Sequence, residues 1–181
     1  MSSQFLKHNS DMLDAARHCI AQRQFLPALV LMYSHIDVLA WAGSAKQKQA
    51  VRLRFEAWVS RWLLPELSIN APNINATDLY AARCGILHTL TSKSDLSATG
   101  AAREIAYAWG IAQAPVLDAV IAQTEFTGRL VTLHYETLLN ALEISIQKFL
   151  AAASSDPELE SRLEDAAGRH FSNISVRRDR Q

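Results

Sequence analysis

Apolar residues recur every three to four positions over most of this chain, the period of helices that bury one face. The first such stretch follows Ser10, with Ser10 or Asp11 at its cap, and runs to about Arg23. The second begins near Phe25, carries Pro27 in its first turn and stops at Gly43. Its stripe is Leu26, Val30, Tyr33, Asp37 and Trp41, which sets one carboxylate among apolar positions. The third runs from about Ser44 to Leu64 and stops before Pro65. Val51, Phe55, Trp58 and Trp62 define its apolar face, and Lys46, Lys48, Arg52, Arg54 and Arg61 occupy much of the rest. Residues 65–75, rich in Pro and Asn, read as a loop. A fourth helix, capped by Asn75 or Thr77, spans Ala76 to Leu90, and residues 91–100 form a polar loop.

Beyond residue 100 the period changes. Ile105, Tyr107 and Trp109 alternate with smaller residues, which predicts a short strand within 103–110, and a lone strand needs a partner. Pro115 to Gln123 predicts a short helix, Arg129 to Ala152 a long amphipathic one, and Pro157 to Gly168 a short polar one. The fold class is therefore all-α: a bundle of about five main helices with one short strand near 103–110. Residues 1–10 read as a flexible N-terminus, 11–152 as the helical domain, and 153–181 as a short C-terminal helix with a mobile basic tail.

Composition narrows this further. A chain of 181 residues, 49% hydrophobic and 20% charged, suits one ordinary domain with a sizeable core. Six Gly and five Pro are too few for a fold built on many β-turns. The formal net charge is zero, so no global field draws in nucleic acid. The charge is uneven, however. Lys7, Arg17, Arg23, Lys46, Lys48, Arg52, Arg54 and Arg61 precede Pro65 against only Asp11, Asp14, Asp37 and Glu56. Arg52 and Arg54 are candidate contacts for a phosphate backbone, with a solvated helix face as the competing reading. Cys19 and Cys84 form no CxxC and join no zinc-spaced His/Cys cluster, so both read as small buried hydrophobes, with no metal and no cofactor. Met1 to Ser10 lacks a signal-type apolar core, and no apolar run approaches the ~20 residues of a membrane span. These features predict a cytoplasmic protein with no membrane partner.

Most of the chemical information lies in Arg83-Cys84-Gly85-Ile86-Leu87-His88, set inside the apolar fourth helix. A permanently charged guanidinium and an imidazole are costly there without a task. Together they suit phosphate chemistry, since Arg clamps phosphate oxygens and His moves a proton. In an ideal helix the two positions diverge by about 140° and are ~7.5 Å apart along the axis. That geometry calls for a bend at Gly85, a helix ending near His88, or a second chain. Asp37, on its apolar stripe, needs a cation, and Arg83 is the candidate. The competing readings are structural: His88 as a capping histidine and Arg83 as a plain salt-bridge partner. His35 and His134 are weaker candidates, and the four Trp read as core.

The Arg83-to-His88 segment, preceded by Asp78-Leu79-Tyr80-Ala81-Ala82 and followed by Thr89, resembles the Arg-(four to six residues)-His motif of the HEPN superfamily. The helical layout and the acidic Asp37 on an earlier helix agree with it. The resemblance implies a small helical bundle that dimerises with two motifs facing across the interface. It also implies a metal-independent endoribonuclease, of the kind found in toxin–antitoxin and phage-defence systems. Arg83 and His88 would act on the scissile phosphate and the attacking 2′-hydroxyl, with Asp37 holding Arg83. RNA, an antitoxin or another protein would be the partners. Where active members commonly carry a polar residue after the arginine, this chain has Cys84. The alternative is a non-catalytic HEPN-like module that binds nucleotides, RNA or protein.

Overall fold

In the computed structural model, which describes residues 3–45, 48–111 and 113–169, the chain begins with helices α1 (Ser3–Ala21) and α2 (Phe25–Gly43). Helix α1 starts at Ser3, not after Ser10. Phe5 is fully buried and the Asn9 amide donates to the Phe5 carbonyl at 2.7 Å, so residues 3–10 belong to the folded body. Arg23 turns the chain in the left-handed region, with φ of 58°, and sends it into α2. Ala28, Leu29, Met32, Tyr33, Ile36, Leu39, Ala40 and Ala42 are all buried, which makes α2 the centre of the fold, packed against α1 and four later helices besides. This helix is long and apolar enough to cross a membrane by length and composition. The expectation that no such run exists is corrected; half of the helix is buried against the rest of the fold.

The third predicted helix is three consecutive pieces: α3 (Val51–Trp58), a π-helical turn (Val59–Leu63) and α4 (Leu64–Leu67). It therefore starts later than Ser44 and continues through Pro65 rather than stopping before it. A proline inside an α-helix lacks the N–H and presses its ring on the carbonyl one turn back. The widened turn relieves this: the Leu64 N–H reaches the Val59 carbonyl, five residues back. The hydroxyl of buried Ser145 lies 2.9 Å from the Trp62 carbonyl and 2.5 Å from the Ala141 carbonyl, and shares its one proton between them. Val59 and Leu63 are both fully buried on this turn.

The fourth helix, α5 (Ala76–Thr89), starts at Asn75 through a reciprocal capping box with Asp78. Then follow α6 (Asp95–Ala98), β1 (Glu104–Ala108), α7 (Ala114–Ile121), β2 (Leu130–His134), α8 (Tyr135–Ala153) and α9 (Pro157–Ala167). The short strand falls where the alternation placed it. Its partner was not expected: β1 and β2 pair in parallel, from Glu104 with Leu130 to Ala108 with His134. The long helix expected from Arg129 begins only at Tyr135, and residues 130–134 form β2 instead. Val131, Thr132 and Leu133 are consecutively buried, the pattern of a strand covered on both faces. Asp118 of α7 caps the Thr132 amide at 2.7 Å. The fold is thus mainly helical, with a two-stranded parallel sheet.

One core cluster runs from Phe5 to Ala167 and includes Leu159 and Leu163 of α9. The C-terminal helix is therefore part of the domain, not an appendage beyond residue 152. The basic tail lies outside the described residues. Two smaller expectations are also corrected. Trp109 is 52% exposed rather than core, stacked on Phe25 with Arg23 over its ring. Cys19 and Cys84 are half-buried rather than fully enclosed.

Candidate active site

Asp37 projects from the middle of α2 toward Arg83 on α5. The Arg83 Nε and Nη2 both donate to Asp37 Oδ2, at 2.7 and 2.5 Å. Both side chains are largely removed from solvent, at 13% and 21% exposure, so the apolar-stripe carboxylate has the cation it requires. Burial alone disfavours the Arg83 charge. The hydrogen bonds and charge of Asp37 outweigh that, so its pKa is raised above the ordinary arginine value.

His88 lies on the last turn of the same helix and is exposed. The Arg83 Nη1 lies 2.9 Å from His88 Nε2. Arginine has no acceptor, so the guanidinium donates and His88 Nε2 accepts, which places the imidazole proton on Nδ1. The 140° divergence of the two positions is thus closed by side-chain length within one chain. Of the three expected routes, the helix ending near His88 is the one present, since α5 stops at Thr89; neither an irregular α5 nor a second copy is needed to bring the pair together.

Gly85 does not bend the helix; it makes room. A Cβ there would stand 2.7 Å from the Thr91 carbonyl oxygen and 2.9 Å from that of Lys93. The loop after α5 folds back over Gly85, and the Thr91 N–H bonds the Gly85 carbonyl at 3.2 Å. Leu90 makes this reversal in the left-handed region, with φ of 55°. The last turn carrying His88 is consequently fastened to its own following loop.

The sequence reading missed Tyr80, three residues before Arg83 and so on the same face. The guanidinium carbons of Arg83 and Arg52 each lie 5.9 Å from the centre of its ring. Burial, with a hydrogen bond to Cys84, raises the Tyr80 pKa. Cys84 also takes a 4.0 Å contact from Arg83 Nη1, so it touches the site. Beside the pair lies a cavity of about 250 Å³ lined by Asp37, Val38, Trp41, Val51, Arg54 and Arg83. Asp37 Oδ1, buried at this place, has no hydrogen-bond partner among the described residues.

The two weaker histidines stand elsewhere. His35 is buried against Asn9, its Nε2 2.6 Å from Asn9 Oδ1. His134 sits at the end of β2, held by Glu136 at 2.7 Å and the Gly110 carbonyl at 2.8 Å. Among the described residues no three His, Cys, Asp or Glu side chains form a metal-binding group. Compared with known proteins, the chain matches no family model, no curated protein and no solved structure.

Proposed function

We propose that this protein is a metal-independent endoribonuclease of HEPN type, acting as a toxin or phage-defence effector. The observation that carries the proposal is the Asp37–Arg83–His88 chain, in which an anchored guanidinium touches an exposed imidazole at 2.9 Å. The His88 Nε2 lone pair is held by Arg83, and a phosphodiester that displaces this hydrogen bond would free both the lone pair and an Arg83 donor. His88 takes the proton of the ribose 2′-hydroxyl, and the 2′-oxygen forms a bond to phosphorus. The bond to the 5′-oxygen breaks, and that oxygen takes its proton from water. Arg83 offsets the charge building on the phosphorane-like transition state while Asp37 holds it in place. The HEPN-like dimer and an antitoxin or other protein partner belong to this proposal.

The test is purified protein on mixed RNA, with and without chelator, beside His88→Ala. RNA cleavage that survives chelator, spares DNA and leaves 2′,3′-cyclic phosphate ends is expected. His88→Ala loses ~10²–10⁴-fold in rate without unfolding. Arg83→Lys is also poorly active, because an ammonium cannot replace the fork that spans Asp37 and substrate. Equal cleavage by wild type and His88→Ala would refute the assignment. No cleavage by a protein that still binds phosphate at Arg83 would leave the non-catalytic binding module.

A further inference from the structure

The cavity beside Arg83 does not end there. A second cavity, of about 150 Å³, opens on the other side of Arg54 and is lined by Arg61, Arg162, Trp58 and Trp62 among others. Arg54 and Ala40 border both cavities, so one depression continues from the Arg83 guanidinium along α3 and its π-helical turn. Arg54 lies on α3 and Arg61 on the π-helical turn that continues it, and both line this second cavity. The Arg61 guanidinium lies 4.7 Å from the centre of the Trp62 ring on the π-helical turn. The acidic groups facing this depression are few and engaged. Asp37 is paired with Arg83. Asp156 accepts the Glu158 and Leu159 amides as the cap of α9. Glu158, 91% exposed, stands 3.9 Å from Arg162.

Four arginines in file, beside flat aromatic and apolar walls at Trp41, Val38 and Val51, complement a flexible polyanion with planar bases. From these features we infer that the depression is a binding track for single-stranded RNA, extending from the phosphate held at Arg83; the choice of RNA rests on the ribonuclease reading above. Arg54, Arg61 and Arg162 hold successive flanking phosphates, and Trp41, whose ring carries the Arg169 guanidinium at 5.7 Å, receives a base next to the scissile bond in that guanidinium's place. Arg54 and Arg61, two of the basic residues concentrated before Pro65, thereby gain a task in a chain whose net charge is zero.

The experiment is fluorescence anisotropy of the full-length protein with a mixed-sequence, uniformly 2′-O-methyl RNA oligonucleotide, which keeps bases and phosphates but lacks the attacking hydroxyl. Arg54→Gln, Arg61→Gln and Arg162→Gln should each weaken binding and flatten the plot of log affinity against log salt by ~0.7. Trp41→Ala should weaken binding about 5- to 100-fold. Arg129→Gln, exposed and away from the track, should change neither. Arg61 is also exposed, so its substitution reports on binding even where another variant fails to fold. Wild-type affinity and salt slope in Arg61→Gln and Trp41→Ala would overturn the track, as would no binding by the wild type at ~50 mM salt. Binding through these residues without cleavage of unmodified RNA would sink the ribonuclease and leave the track standing. Cleavage unaffected by the track variants would do the reverse.

Discussion

Helix α5 makes two aspartate–arginine pairs with the same Nη2–Oδ2 distance of 2.5 Å, and they are built for different ends. At its N-terminus, Asp78 is 1% exposed and its acceptors are in use. Oδ1 takes the Arg103 backbone N–H at 2.8 Å, and Oδ2 takes the Arg103 guanidinium and the Asn75 N–H. Arg103 also donates to the Asn73 carbonyl. That joint ties the start of β1 to the start of α5 and has nothing left to offer. Toward the other end, Asp37 leaves Oδ1 without a donor among the described residues, and Arg83 reaches past it to His88 and a cavity. A closed pair stabilises; an open pair has donors left for a ligand.

Removing each carboxylate separates the two most strongly. Asp78→Ala strips the Arg103 amide and guanidinium of their partner in the interior and deletes the capping box. It should cost about 3–5 kcal/mol. Asp37→Ala leaves Arg83 with His88, Cys84 and access to the cavity, and should cost about 2 kcal/mol. Urea unfolding of the two variants measures both. A loss from Asp37→Ala equal to or larger than that from Asp78→Ala would erase the distinction between closed and open pairs.

A third buried polar contact, His35 with Asn9, sharpens the comparison because its stability changes with pH. Burial pushes the His35 pKa down to about 4 from the ordinary 6.5. Below pH 6.5 the unfolded chain binds a proton that the folded chain refuses, so stability falls as pH falls from about 6.5 to 4. Below that both states are charged and the loss is complete, at about 3 kcal/mol. His35→Gln, which keeps a donor for Asn9 Oδ1, should remove this slope. A wild-type stability that is flat between pH 6.5 and 4.5 would show that the ring is not held neutral.

The site was legible where chemistry conflicted with pattern. A carboxylate on the Leu26–Trp41 stripe and an Arg and His inside an apolar helix each needed a reason, and the structure brings all three together. Their manner of meeting was not legible, because helical phase describes Cβ directions while arginine reaches several ångströms farther. Asp78 was invisible as a joint because its partner, Arg103, is 25 residues away and neither breaks a local pattern. The second strand was hidden for a related reason. Leu130 and Leu133 fit the apolar spacing of the helix that follows, and only the pairing with β1 decides against it. The contact of Ser145 with the Trp62 carbonyl on the π-helical turn spans 83 residues, and no local pattern marks it.

The smallest expected effect lies at the open end of α5. Leu90 occupies the left-handed region with a Cβ, which costs roughly 1–2 kcal/mol relative to a residue free of that clash. Its side chain is 60% exposed, so little burial compensates. Leu90→Gly relieves the strain but adds freedom to the unfolded chain, worth roughly 0.5–1 kcal/mol in the other direction. Relief of the strain outweighs the added freedom, and a net gain of about 0.5–1 kcal/mol should raise the melting temperature by roughly 1–4 °C. The contacts of Asp78 at the other end of the helix should be untouched, so the gain should add to the loss from Asp78→Ala in the double variant. A lower melting temperature for Leu90→Gly would mean that the leucine side chain holds the reversal over Gly85, and that the turn carrying His88 depends on packing rather than on backbone conformation.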